Sequence, residues 1–175
     1  MASATPPNAN QRNGGASNDA AAPPAGPAQM QSLAQYIKDL SFENPNAPVS
    51  LQQQQGPSPQ ISIQVQVNAK AIAQSDYEIE LRLEGHAGDK PKQLFAFELI
   101  YSGIFRLVNI PQEHVHGAIM IEGPRLLFPF ARQIIADCVR NGGFPPLYID
   151  PIDFVALYQQ RAAEAQAKGQ APQLA

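Results

Sequence analysis

Cysteine, tryptophan and charge are all scarce in this chain. Cys138 is the only cysteine among 175 residues, and there is no tryptophan. One thiol excludes an internal disulfide and a zinc site built on cysteines. Charged residues make up 15%, as 12 Lys/Arg against 15 Asp/Glu, for a net charge of −3. No cluster of Lys and Arg occurs, so the basic stripe that would meet nucleic-acid phosphates is missing and no nucleic-acid partner is expected. Apolar runs are short and interrupted, well under the ~18 residues of a membrane span, so no direct membrane insertion is expected. The first residues lack the basic region and apolar segment of a secretory signal, which makes the cytoplasm the expected location. Gly142-Gly143 follows a helical pattern, whereas a phosphate-binding loop would follow a strand. Together these absences point to a binding module without a cofactor, and away from an enzyme.

Composition sets the expected boundaries. Residues 1–31 hold five prolines, three glycines and nine alanines, and after Met1 the first large apolar residue is Met30. Such a stretch buries too little apolar surface to offset ordering and is expected to be a disordered tail. Residues 161–175 are poor in bulky side chains and read as a frayed helix end and a mobile tail. The domain is then 32–160, with 9 basic and 13 acidic residues, a net of −4 (9 − 13).

Within it, residues 61–67 (ISIQVQV) and 77–84 (YEIELRLE) alternate apolar and polar, the signature of half-buried antiparallel strands. Gln74, Ser75 and Asp76 lie where a hairpin would close. In 94–101 (LFAFELIY) both faces are apolar apart from Glu98, so cover is needed on both sides. Gly103 suggests a bulge before Ile104, Phe105, Leu107 and Val108 continue the strand. Upstream, 33–43 (LAQYIKDLSFE) reads as a first strand, with Tyr36, Lys38, Leu40 and Phe42 opposed to Ile37, Asp39, Ser41 and Glu43.

After Pro111 the period changes. Leu127, Phe130, Ala131, Ile134, Ile135 and Cys138 recur at helical spacing, and Asn141-Gly142-Gly143 supplies a stop. Pro124 suits a first turn, whereas Pro129 is expected to kink or split the helix. Pro151 and Asp153 open a last helix whose buried stripe is Phe154, Leu157 and Tyr158. Four antiparallel strands followed by two helices make an α+β domain. Two short helices do not cover both faces of such a sheet, so a second copy of the chain is expected to supply cover.

Few residues suggest chemistry. His114 and His116 form a pair without the third and fourth ligands that a metal site needs. Cys138 lies on an apolar helix face, where cysteine behaves as a small hydrophobe, and nothing orients it as a nucleophile. Asp150 and Asp153 resemble a carboxylate pair, but a helix cap is the simpler role. Two features stand out. Asp39, Glu43 and Glu98 sit in strands, and Phe144, Leu147, Tyr148 and Ile149 occupy a loop stiffened by prolines. The first could be scattered surface charge. The second could be a loop packed down on the sheet, or one wall of a binding groove.

These residues converge on a family. KDLSFENPNAP (Lys38 to Pro48), SGIFRL (Ser102 to Leu107), LLFPFAR (Leu126 to Arg132) and GGFPPLYIDPIDFVALY (Gly142 to Tyr158) resemble the SecB protein-export chaperones, in the same order and across about Leu33 to Gln160. The resemblance implies a cytoplasmic, ATP-independent holdase. It would keep preproteins unfolded and hand them to the translocase motor SecA. It also implies a four-stranded antiparallel sheet with two C-terminal helices, assembled as a dimer of dimers, a homotetramer. A SecB-like chaperone dedicated to a toxin–antitoxin system is the alternative.

The same resemblance assigns roles by position. Asp39 and Glu43 in the first strand, with Ala96 and Glu98 in the strand 94–101, match the surface that docks on SecA. Ala96 stands where relatives carry a larger apolar residue. Phe97, Leu99 and Tyr101 match positions tied to tetramer assembly. Phe105 and Leu107, with Phe144, Leu147, Tyr148 and Ile149, are expected at the client groove. Zinc in this system would belong to SecA.

Overall fold

The computed structural model describes residues 26–52 and 59–167. Strand β1 (Gln29–Glu43) leads into a single helical turn, α1 (Val49–Gln52), followed by β2 (Ile61–Ala71), β3 (Asp76–Ala87) and β4 (Phe95–Val108). Then come α2 (Gln112–Gly117), a π-helical turn (Ala118–Glu122), α3 (Gly123–Asn141) and α4 (Phe154–Ala167). The sheet is antiparallel throughout, in the order β1-β4-β3-β2. β1 starts at Gln29, so residues 29–31 belong to the sheet although composition assigned them to the tail. α4 continues past Arg161 to Ala167, and the rest of both expected tails lies outside the described residues.

The alternation of β2 and β3 becomes two faces. Ile79, Leu81 and Leu83 of β3 and Phe97, Leu99 and Phe105 of β4 are buried on one face, packed with Leu127, Ala131, Ile135 and Val139 of α3. The opposite face carries Glu78, Glu80, Arg82 and Glu84. The hairpin closes where expected, with the Ile72 N–H donating to the Asp76 carbonyl at 2.9 Å.

Gly103 is not a bulge. Its partners, Gln35 on one side and Ile79 on the other, stay in register, and the two bulges lie in β1, between Ser32 and Ala34 and between Ile37 and Asp39. Glycine serves close approach instead, since a Cβ there would come within 2.6 Å of the Phe105 ring and 3.0 Å of Leu127.

Pro129 does not split α3. It lies on the exposed side with Arg125, where water can satisfy the carbonyl its missing N–H leaves free. The stop is as expected: Gly143 adopts φ 90°, and the Phe144 N–H returns to the Val139 carbonyl at 3.2 Å. Asp153 caps α4, its Oδ1 accepting from the Val155 and Ala156 N–H groups at 3.0 Å each.

The buried stripe of α3 is rotated from the expected one. Leu127, Phe128, Ala131, Ile135 and Val139 face the sheet, while Phe130 is exposed and Ile134 and Cys138 are half-buried. Leu126, Phe130, Ile134 and Cys138 form a second apolar row at i, i+4 spacing. The sequence shows one broad apolar sector, of which a single chain buries only part.

Candidate functional site

The face of the sheet away from α3 gathers the acidic residues. Asp39 pairs with Ile100, Ser41 with Glu98, and Glu43 with Ala96, so the four expected docking residues share one surface. Asp39 and Glu43 are exposed, and Ala96 and Glu98 half-buried. The bulge at Lys38 makes this arrangement. Ile37 lies opposite Tyr101 on the helix side, and the extra residue then sends Asp39 to the open side. Tyr36 and Lys38 therefore share a face with Asp39, while Leu40 and Phe42 face the helices. Strict alternation had placed them otherwise.

Glu98 stands directly across from Glu84. Two like charges in that relation repel, and Arg82 offsets this by contacting Glu84 closely and Glu98 at 2.8 Å. A hollow of about 500 Å³ opens here, lined by Ser41, Glu43, Glu84, His86, Ala96 and Glu98 among others.

Farther along the same face, the half-exposed Lys38 and Lys70 reach the buried Glu78 at 2.8 and 2.7 Å, with the Tyr36 hydroxyl also donating to it. Hydrogen bonds from Lys38, then Lys70 and Tyr36, hold the Glu78 carboxyl down at about 2. The bonds to Glu78 and Glu80 hold the Lys38 ammonium above its ordinary value. Arg106 grips Asp76 with two bonds of 2.7 and 2.8 Å.

Most of the apolar candidates lie inside the chain's own core. Phe97, Leu99 and Tyr101 are 4%, 0% and 9% exposed, sealed beneath α3 of their own chain. They support the helix and offer almost no surface to another subunit. Phe105 and Leu107 are likewise buried on the helix side. The Phe144 ring packs tilted against Phe95 at 5.1 Å, and Ile149 is buried, so both pin the loop down. Of the six expected groove residues, Leu147 is half-buried and only Tyr148, at 76%, is open to solvent. Alternation identifies a face but does not say which face a helix will cover.

The remaining candidates are ordinary. His116 Nδ1 lies 2.8 Å from the Tyr158 hydroxyl, tying α2 to α4, and His114 is exposed. Burial, with Asp137 nearby, pushes the Cys138 thiol up, away from a reactive thiolate. No group of three or more His, Cys, Asp or Glu suited to a metal occurs among the described residues. None of their helices is long and apolar enough to cross a membrane.

The family model described as preprotein translocase subunit SecB matches residues 24–165. The chain belongs to the SecB family. Proteins named protein-export protein SecB are 56% identical over 149 residues in Rhodopseudomonas palustris, covering 85% of this chain and 94% of the relative. In Methylocella silvestris the figures are 59% over 151 residues, 86% and 92%. A SecB-like chaperone of Mycobacterium tuberculosis, solved with a ChAD peptide from an antitoxin, superposes with a TM-score of 0.55 at 11% identity. It covers 70% of this chain and 87% of its own, a likeness of fold alone.

Within this SecB fold, two features of these surfaces escaped the sequence reading. Arg82 is an ordinary strand residue until pairing sets Glu84 beside Glu98. The second apolar row of α3 is hidden inside a continuous apolar sector.

Proposed function

We propose that this chain is a cytoplasmic, ATP-independent holdase that keeps preproteins unfolded and delivers them to SecA. The observation that carries the reading is the segregation of chemistries. Carboxylates occupy the open face of the sheet, and exposed apolar side chains cluster on the helix side. Export relatives at 56–59% identity support it over a role confined to a toxin–antitoxin system.

Asp39, Glu43 and Glu98, with the small Ala96 between them, suit a basic segment of SecA. Cargo is met elsewhere. Tyr148 and Leu147 supply contacts at a loop whose other apolar residues lock it in place. Each side chain so buried contributes only ~1.5–3 kcal/mol, which suits a binder of many sequences. Useful affinity then requires several sites on one assembly.

A homotetramer provides them. On the helix side, Ile37 (48% exposed) is paired with Tyr101, whose ring lies 6.4 Å from that of Phe130 (52% exposed). This apolar strip, continued by Leu126 along α3, is the surface that a second copy of the chain would cover.

Reversing charge at Asp39, Glu43 and Glu98 together should weaken SecA binding at least tenfold by calorimetry. Suppression of aggregation of a denatured preprotein without ATP should be unchanged. Equal loss of both activities would contradict separate surfaces.

A further inference from the structure

The sheet has two edges, and the one formed by β2 carries a contact that the export reading leaves unused. The Gln60 carbonyl accepts from the Gly88 N–H at 2.9 Å, and the Ile72 N–H donates inward to the Asp76 carbonyl. Backbone groups alternate along a strand, so the odd-numbered residues of β2 point their N–H and C=O groups away from β3. Two of these outward carbonyls are occupied. Arg161 of α4 donates from Nη2 to the Val65 carbonyl at 2.8 Å and from Nη1 to the Val67 carbonyl at 3.3 Å. A planar guanidinium thus spans two successive acceptors of an edge strand, the positions at which an added strand would place its own N–H donors.

We propose that Arg161 is a removable cap on the outer edge of β2, displaced when an extended segment of an unfolded polypeptide pairs there. The identity of the displacing chain rests on the holdase reading above. The geometry favours such an occupant. The acceptors repeat every second residue, a spacing that an extended backbone matches whatever its side chains. Ile63, Val65 and Val67 line the adjoining helix-side face of β2 with apolar contacts. An open edge is also a template for unwanted pairing, and a cationic side chain laid over it is a way to blunt that hazard. Arg161 would then do two things: protect the edge of the empty protein and set the threshold for admitting a chain.

The test compares full-length wild type, Arg161→Ala and Arg161→Lys with reduced, thiol-blocked ribonuclease A, a permanently unfolded probe. Uncapping two charge-assisted hydrogen bonds should tighten binding by about tenfold in Arg161→Ala. Lysine, which cannot span both carbonyls, should fall between the two. Bound probe should slow hydrogen exchange at the outward amides of Ile63, Val65, Val67 and Ala69, but not at Gln64 and Gln66, which already pair with β3. Wild type that binds the probe with Arg161→Ala no tighter, or without this alternating protection, overturns the cap. Higher oligomers of Arg161→Ala in the absence of probe would give the edge to another copy of the chain and overturn the assignment to an unfolded client. Failure of all three proteins to bind would overturn the holdase reading itself, and the cap with it.

Discussion

Glu78 shows how a single carboxylate can organise a surface. It is buried at the base of the open face and accepts from two ammonium groups and a phenol. Its folded pKa of about 2 lies below the ordinary value of 4.5. The unfolded chain therefore binds the proton more readily. The contribution to stability is complete above about pH 4.5 and fades as pH falls toward 2. Glu78→Gln should lower stability at neutral pH by about 1–3 kcal/mol and flatten the acid limb of a urea-denaturation series below pH 4.5. The sequence shows only YEIELRLE at this point. The alternation identifies Glu78 as facing away from the core, yet Lys70 lies across a hairpin and Tyr36 and Lys38 about forty residues upstream, so its importance emerges only with pairing.

Elements were legible in proportion to the regularity of their pattern. β2 and β3 keep strict alternation and fold as read. β1 does not, because an extra residue at Lys38 breaks the period, and alternation cannot register an insertion that only the partner strand reveals. Residues 112–124 lack a clean amphipathic period, and the structure continues the helix through them by way of the π-helical turn. Local capping chemistry was easier to read, since Asp153 acts on groups two and three residues away. Asp153→Ala should cost about 1 kcal/mol. Faster hydrogen exchange at Val155 and Ala156 than elsewhere in α4 would locate that loss in its first turn.

At the scale of the molecule, the helices cover one face of the sheet and still present apolar surface outward. The sequence indicated that a leftover apolar surface exists, and in the single chain that surface lies on other residues than Phe97, Leu99 and Tyr101. Phe97, Leu99 and Tyr101 are consumed by the chain's own core, whereas Phe130 and Leu126 remain outside. Phe130 is half exposed and touches the core only at the Tyr101 ring, so Phe130→Asp should retain the far-ultraviolet circular dichroism of the wild type. Under the proposed assembly its mass by sedimentation equilibrium should fall below that of the wild type, and holding of a long client should weaken more than holding of a short peptide, because linked sites are lost.

The extra residue in β1 also gives the strand one point at which its length can change without a change of register. Deleting Lys38 would remove the bulge and leave Asp39 opposite Ile100 and Leu40 opposite Leu99, because the register already passes over it. Most substitutions along this strand alter one contact. A codon lost at this one point would spare the layout of the open face and cost only the Lys38 contacts to Glu78 and Glu80, whereas a codon lost beside it would turn every later side chain of the strand over.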